Sequence, residues 1–248
     1  MIRKLLFVTL IFGFIGTDES AWGKNWNSGK SDTNSSNALN KIPNHYTCGS
    51  PDSDGITYFA NGVKFEVDNK DIGKCPTDPH PFKSSKPYSE RAEITFRYKL
   101  RRNKTHRIRF HMNISQGFSG PNRNETWFQV KCGTDSAVMA YFKKGHFPFK
   151  FRLANATNDE RFVSRKSPIQ HHYRMWFPIE IIYNNRVTSE LSIYIDGQPI
   201  MEKQEFKQIS DCRKTETFRL GIYRAGHEII PNVTSEVMYK DIVFETLN

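Results

Sequence analysis

Three short segments carry side chains able to act together on an anion. Residues two apart on an extended chain share a face. In the run from Arg91 to Tyr98, the polar residues Arg91, Glu93, Thr95 and Arg97 fall on one side, and Ala92, Ile94, Phe96 and Tyr98 on the other. In the run from Trp127 to Cys132, Trp127, Gln129 and Lys131 stand opposite Phe128, Val130 and Cys132. In the run from Phe218 to Tyr223, Arg219, Gly221 and Tyr223 stand opposite Phe218, Leu220 and Ile222. Each segment therefore has a dry side and a side bearing Arg, Gln, Lys or Tyr. Aligned across one concave sheet, the polar sides make a positive groove with a phenol in it, suited to a negatively charged ligand. Plainer explanations stand beside that one. Arg91 paired with Glu93 needs no ligand; Tyr223 on a sheet edge and Gln129 and Lys131 on a solvated face need no function.

Such a groove requires strands, and alternation of period two recurs along the chain. The run from Arg107 to Ile114 alternates strictly, and strands are also expected at Val63–Val67, Val138–Phe142, Phe149–Leu153, Ile179–Tyr183, Leu191–Ile195 and Val237–Phe244. Turn signals separate them at Arg102-Asn103-Lys104, Gly117 to Asn124, Asn184-Asn185 and Asp196-Gly197. The last is a strong hairpin signal. No segment has the period of an amphipathic helix, and no internal repeat is present. Many short strands at close spacing predict an all-β chain folded as a concanavalin A-like jelly-roll sandwich.

The 248 residues suit one large β domain or two small ones, and 37% hydrophobic content with mean hydropathy -0.63 excludes a polytopic membrane protein. The 19 Phe are more than a solvated coil needs. Arg3 and Lys4 followed by the apolar run Leu5–Ile15 predict a secretory signal peptide over residues 1–23. Residues 24–44, rich in Asn, Ser and Gly, read as a flexible lead-in, and residues 45–248 as the β domain. The four cysteines Cys48, Cys75, Cys132 and Cys212 form no C-x-x-C pair, which points to two disulfides in an exported protein. Three pairings exist; Cys48 with Cys75 and Cys132 with Cys212 is the one expected. Six glycan acceptor triplets begin at Asn34, Asn103, Asn113, Asn124, Asn155 and Asn232. No histidine has metal-ligand spacing. With 36 Lys+Arg against 26 Asp+Glu, the exported chain is expected to meet an acidic polysaccharide rather than nucleic acid or a membrane, and to act as a monomer.

The three polar faces also resemble a known group. Arg91-Ala92-Glu93-Ile94 resembles the R-[ST]-E-[LV] strand of the jelly-roll polysaccharide lyases, the broad group of alginate, glucuronan and heparin lyase I-like enzymes. Gln129-Val130-Lys131 resembles their Q-[IV]-H strand, and Phe218-Arg219-Leu220-Gly221-Ile222-Tyr223 their F-K-x-G-[IV]-Y strand. Tyr239 to Phe244 looks like the closing strand of the heparin lyase I-like members. The order along the chain is the group's order, and the resemblance covers roughly Tyr46 to the end.

That resemblance implies β-elimination on a uronate-containing chain. Neutralising the sugar carboxylate stabilises the enolate-like intermediate as an oxyanion hole would. A base then takes the C5 proton and an acid protonates the departing O4. By the motifs, Tyr223 is the acid/base, Gln129 and Arg91 neutralise the carboxylate, and Arg219 binds a further uronate or sulfate. Glu93, Trp127 and Arg97 would contact or frame the substrate, Glu93 mainly by orienting Arg91. No cofactor or metal is implied. The departure is Lys131, where the group usually has His. A lysine titrates near ~10.4 and makes a poor base, so Lys131 is expected to help neutralise the carboxylate while Tyr223 serves as both base and acid. The rival expectation is a catalytically inactive, lectin-like protein that binds acidic glycans such as heparin or alginate.

Overall fold

The computed structural model describes residues 45–48, 55–68, 89–115, 125–132, 135–143, 146–154, 159–163, 174–207, 216–225 and 234–247. The expected signal peptide and lead-in, and Cys75 and Cys212, lie outside them. Among the described residues the chain forms strands and no helix. These are β1 (His45–Cys48), β2 (Ile56–Phe59), β3 (Gly62–Val67), β4 (Ser89–Leu100), β5 (Lys104–Ile114), β6 (Glu125–Cys132), β7 (Asp135–Lys143), β8 (His146–Ala154), β9 (Asp159–Val163), β10 (Phe177–Asn185), β11 (Thr188–Ile195), β12 (Gln198–Lys207), β13 (Glu216–Ala225) and β14 (Ser235–Leu247). Two antiparallel seven-stranded sheets result, ordered β1-β4-β13-β6-β7-β8-β9 and β12-β11-β10-β5-β14-β3-β2. This is the expected jelly-roll sandwich, and it brings the three polar segments together as the neighbours β4, β13 and β6.

The core lies between the sheets because alternation gives every central strand one apolar side. On β5, Ile108, Phe110 and Met112 are fully buried while Arg107, Arg109 and His111 stay partly exposed. Rings cross from one sheet to the other: Phe96 on β4 meets Phe244 on β14 at 4.9 Å, and Phe110 meets Trp127 on β6 at 6.4 Å. Each such ring contributes about 1.5–3 kcal/mol by leaving water. On the outer side of the second sheet, Arg107 pairs with Glu180 at 2.9 Å and Arg109 with Glu245 at 2.7 Å, lacing β10, β5 and β14 together.

One buried ion cluster fixes the strand that carries Tyr223. Arg224 follows it, points to the other side and is 1% exposed. Its Nε lies 2.5 Å from a Glu90 oxygen, its Nη1 3.2 Å from Glu125 and 2.6 Å from Ser235 Oγ, and its Nη2 donates to the Asp68 carbonyl at 3.0 Å. One guanidinium therefore ties β13 to β4, β6, β14 and the chain after β3. Removing one partner of such a buried pair costs about 3–5 kcal/mol.

The structure extends most of the expected strands and adds β1, β2, β9 and β12. Asp196 and Gly197 both have positive φ, 49° and 72°, as the expected two-residue hairpin requires. The turn expected at Asn184-Asn185 falls two residues later. Both asparagines stay in β10 because their amides find partners, Asn185 on the Leu100 carbonyl at 2.9 Å and Asn184 on Glu190 at 3.3 Å. Asn103 is exposed at the tip of the β4–β5 turn. Asn113 is 7% exposed within β5. Asn34, Asn124, Asn155 and Asn232 lie outside the described residues. Cys132 is disulfide-bonded; the expected pairing with Cys212, like that of Cys48 with Cys75, falls outside the described side chains.

Burial at one end of the sandwich carries a pH signature. His106 is fully buried, with Nε2 donating to the Arg101 carbonyl at 3.0 Å and Nδ1 3.1 Å from the Tyr98 hydroxyl. Desolvation holds its pKa below the ordinary 6.5. The unfolded chain then binds the proton more readily, so this contribution to stability is present above pH ~6.5 and is lost as pH falls towards the folded value. Urea unfolding at pH 7.5 and pH 5 should show a lower midpoint at pH 5. His106→Gln should flatten that dependence, and an equal loss in both proteins would refute the assignment.

Candidate active site

The outer face of the first sheet carries the cluster. Register places Tyr223 opposite Arg91, Gly221 opposite Glu93 and Arg219 opposite Thr95 across β13 and β4. It places Arg219 opposite Gln129, and Thr217 opposite Lys131, across β13 and β6. Arg91, Glu93, Gln129, Lys131, Arg219 and Tyr223 therefore share one patch, as the alternation of the three segments predicts.

Glu93 is its centre and is 1% exposed. Gln129 Nε2 donates to Glu93 Oε1 at 2.5 Å, and Arg91 Nε and Arg219 Nη1 lie 3.4 and 3.8 Å from Glu93 Oε2. The Arg91 guanidinium lies over the Tyr223 ring, 4.3 Å from its centroid, within cation–π range. On the other flank Lys131 Nζ donates to Ser136 Oγ at 3.0 Å, and Ser136 Oγ donates to Gln129 Oε1 at 3.1 Å. Glu93, Gln129 and Arg91 form a nearly closed floor. Tyr223, Arg219 and Lys131 are partly exposed above it. Arg91 and Arg219 face the Glu93 carboxylate and Lys131 stands on the flank against Ser136, so among the described residues these four side chains carry a net charge of about plus two. Among the described residues no group of His, Cys, Asp or Glu could hold a metal ion.

Two expected contacts are not on this patch. Trp127 is fully buried and lies edge-on to Phe110 of the opposite sheet. The cause is a bulge: between the pairs Thr126–Tyr223 and Phe128–Leu220, Trp127 alone opposes Gly221 and Ile222. Trp127 and Phe128 thus both turn inward, and Thr126, 4% exposed, takes the place opposite Tyr223. Arg97 is exposed on β4 beyond a register shift that follows Thr95, and has no ion-pair partner in the cluster. The alternation missed Thr126 and Ser136, and the cross-strand pairing of Lys131 with Ser136 is the only signal that finds the latter.

Beneath the patch a second tyrosine supports the bulge. Tyr239 of β14 is fully buried, and its hydroxyl donates to the Trp127 carbonyl at 2.8 Å and lies 3.4 Å from the Gly221 carbonyl. Burial, reinforced by the negative charge of Glu93, raises its pKa well above the ordinary value, so it stays a donor.

No family model and no curated protein matches the sequence. Solved structures do match the fold. An endo-β-1,4-glucuronan lyase from Trichoderma reesei is 14% identical, with a TM-score of 0.51 over 90% of this chain and 92% of its own. An alginate lyase from Pseudomonas aeruginosa is 12% identical, with a TM-score of 0.54 over 81% of this chain and 97% of its own. A family 7 alginate lyase solved with its product is 12% identical, with a TM-score of 0.52 over 82% and 95%. The architecture is thus that of the jelly-roll polysaccharide lyases.

Gly221 gives a direct test of how tightly the patch is built. Its φ is +144°, and a Cβ there would sit 2.2 Å from the Ala92 carbonyl and 2.6 Å from the Glu93 Cα. Backbone strain and overpacking together should make Gly221→Ala about 2–5 kcal/mol less stable. Equilibrium denaturation measures this, and a loss below about 0.5 kcal/mol would mean that β4 and β13 are not so closely apposed.

Proposed function

We propose that the chain is a secreted polysaccharide lyase cleaving a uronate-containing anionic polysaccharide by β-elimination. The observation that carries this reading is the single patch uniting Tyr223, Arg91, Gln129, Lys131 and Arg219 around Glu93, in a fold shared with lyases of glucuronan and alginate. In this scheme the sugar carboxylate sits over the floor, where Arg91, Gln129 and Lys131 neutralise its charge as the C5 proton leaves. Tyr223 reacts as its phenolate, whose oxygen accepts that proton. The electron pair forms the C4–C5 double bond, the C4–O4 bond breaks, and the proton passes from Tyr223 to O4. Base and acid are one group on one face, which suits syn elimination. Protons balance without water or a cofactor. Arg219 holds a neighbouring carboxylate or sulfate.

One observation favours a second reading, a glycan-binding protein without turnover. Lys131 stands where the lyase motif has His, and its amine is already bonded to Ser136. Binding and product formation measured in one sample separate the two.

Incubation with glucuronan, alginate, heparin and heparan sulfate should give the ultraviolet absorbance of an unsaturated uronate with at least one polymer. Tyr223→Phe should then lower kcat by about 10²–10⁴-fold with the fold intact by circular dichroism. An unchanged rate would remove Tyr223 from the mechanism. Binding to a polymer with no product from any of them would favour the second reading.

A further inference from the structure

The β4–β5 end of the sandwich carries a second concentration of positive charge, outside the patch described above. Arg97, Lys99, Arg101, Arg102 and Lys104 lie within eight residues and are all exposed, as is Arg186 on the β10–β11 turn. The two turns are joined, since the Asn103 amide donates to the Asn185 carbonyl at 2.6 Å and the Asn185 side chain to the Leu100 carbonyl at 2.9 Å. Among the described residues none of the six has an ion-pair partner, whereas Arg107 and Arg109, just beyond on β5, are both paired. Glu216, which faces Leu100 from β13, is 1% exposed and so does not present its charge to solvent there. Glu190 and Glu205 sit on β11 and β12.

Six like charges with no ion-pair partner among the described residues destabilise a compact surface through their mutual repulsion, and a polyanion relieves that repulsion while releasing its own counterions. The position matters as much as the charge. Arg91, Glu93 and Thr95 lie on the outer side of β4, and the same strand runs on through Arg97 and Lys99 to the turn. At about 3.3 Å per residue, Lys99 lies roughly 26 Å along β4 from Arg91. That is the span of several sugar rings.

We propose that the β4–β5 end is an accessory binding track for an anionic polysaccharide. It holds the chain beyond the Tyr223 patch and gives the protein a preference for long polymers over short ones. The choice of polysaccharide as the polyanion rests on the function proposed above; the track itself rests on the exposed cations and their continuity with β4. Because long-range attraction between exposed charges is screened over about 8 Å at physiological ionic strength, binding through the track is salt-sensitive.

The test uses the full protein and a variant with Lys99→Ser, Arg101→Ser, Arg102→Ser and Lys104→Ser. All four side chains are exposed, and the acceptor triplet at Asn103 is kept, so any glycan there is matched in the two proteins. Affinity for alginate and heparin is titrated across a salt series, beside cleavage of the polymer and of a trisaccharide. The expected result is polymer affinity about tenfold weaker at low salt, with a shallower dependence on log salt. KM for polymer should rise while kcat, and kcat/KM for the trisaccharide, stay unchanged. Equal polymer affinity and salt slope in the two proteins overturns the track. So does a loss confined to DNA or to anionic lipid vesicles with polysaccharide binding intact. If neither protein cleaves any polymer but the variant loses affinity and salt dependence for polysaccharide, the track stands and the lyase reading falls.

Discussion

A carboxylate at 1% exposure has given up nearly all of its hydration, and Glu93 is tolerated only because three strands answer it. Gln129 comes from β6, Arg219 from β13 and Arg91 from β4 itself. The acid therefore acts in two ways. It registers the side chains of β4, β13 and β6 against one another, and it sets the charge of the patch. Without Glu93, Arg91 and Arg219 would repel across the face. With a second acid the patch would approach neutrality and offer an anion little. One acid against three cations leaves an orderly floor that is still short of negative charge, which is the condition for holding a carboxylate from outside.

The layer underneath explains how two tyrosines on neighbouring chemistry come to differ. Tyr239 reaches across from the second sheet into a dry interior, where desolvation and the charge of Glu93 both disfavour its phenolate. It is kept as a donor to the Trp127 carbonyl and holds the bulge that turns Trp127 inward. Tyr223 stands on the outer side of the first sheet, partly exposed, with the Arg91 guanidinium over its ring. The bulge couples them. By letting Trp127 oppose both Gly221 and Ile222, it brings Thr126 opposite Tyr223, and by crowding Gly221 against β4 it holds the tyrosine row close to Arg91. Arg224, one residue on, locks the same stretch from below.

Period-two alternation recovers the polar face of β4 and β13 and all of β6 except Trp127, because alternation counts residues and a bulge inserts one. It gives no reason for the buried charge of Arg224, whose partners at Asp68, Glu90, Glu125 and Ser235 are far apart in sequence. Strands β1, β2, β9 and β12 escape for another reason. Three are four or five residues long, and β12 carries Glu202, Lys203, Gln204 and Glu205 in succession, with no apolar period to detect. Ser136 and Thr126 are small and uncharged, so only cross-strand register gives them meaning. The exposed cations of the β4–β5 turn are plain in the sequence as residues. That they have no acidic partner among the described residues is visible only once the neighbouring strands are in place.

The direction of the hydrogen bonds bears on what Lys131 does in place of a histidine. Ser136 gives its only proton to Gln129 Oε1, so towards Lys131 it is an acceptor, and Lys131 must donate. Gln129, fixed by accepting at its oxygen, turns its amide N–H groups towards Glu93. Donation thus runs one way, from Lys131 through Ser136 and Gln129 to the buried carboxylate. An ammonium suits the head of such a chain, since it has three protons to give and no lone pair to lose. A general base needs the reverse, a lone pair aimed at the substrate. The network therefore favours charge neutralisation for Lys131. In the proposed elimination, proton transfer then falls to the phenol across the patch, where one oxygen can reach both C5 and O4 if both lie on the same face of the ring.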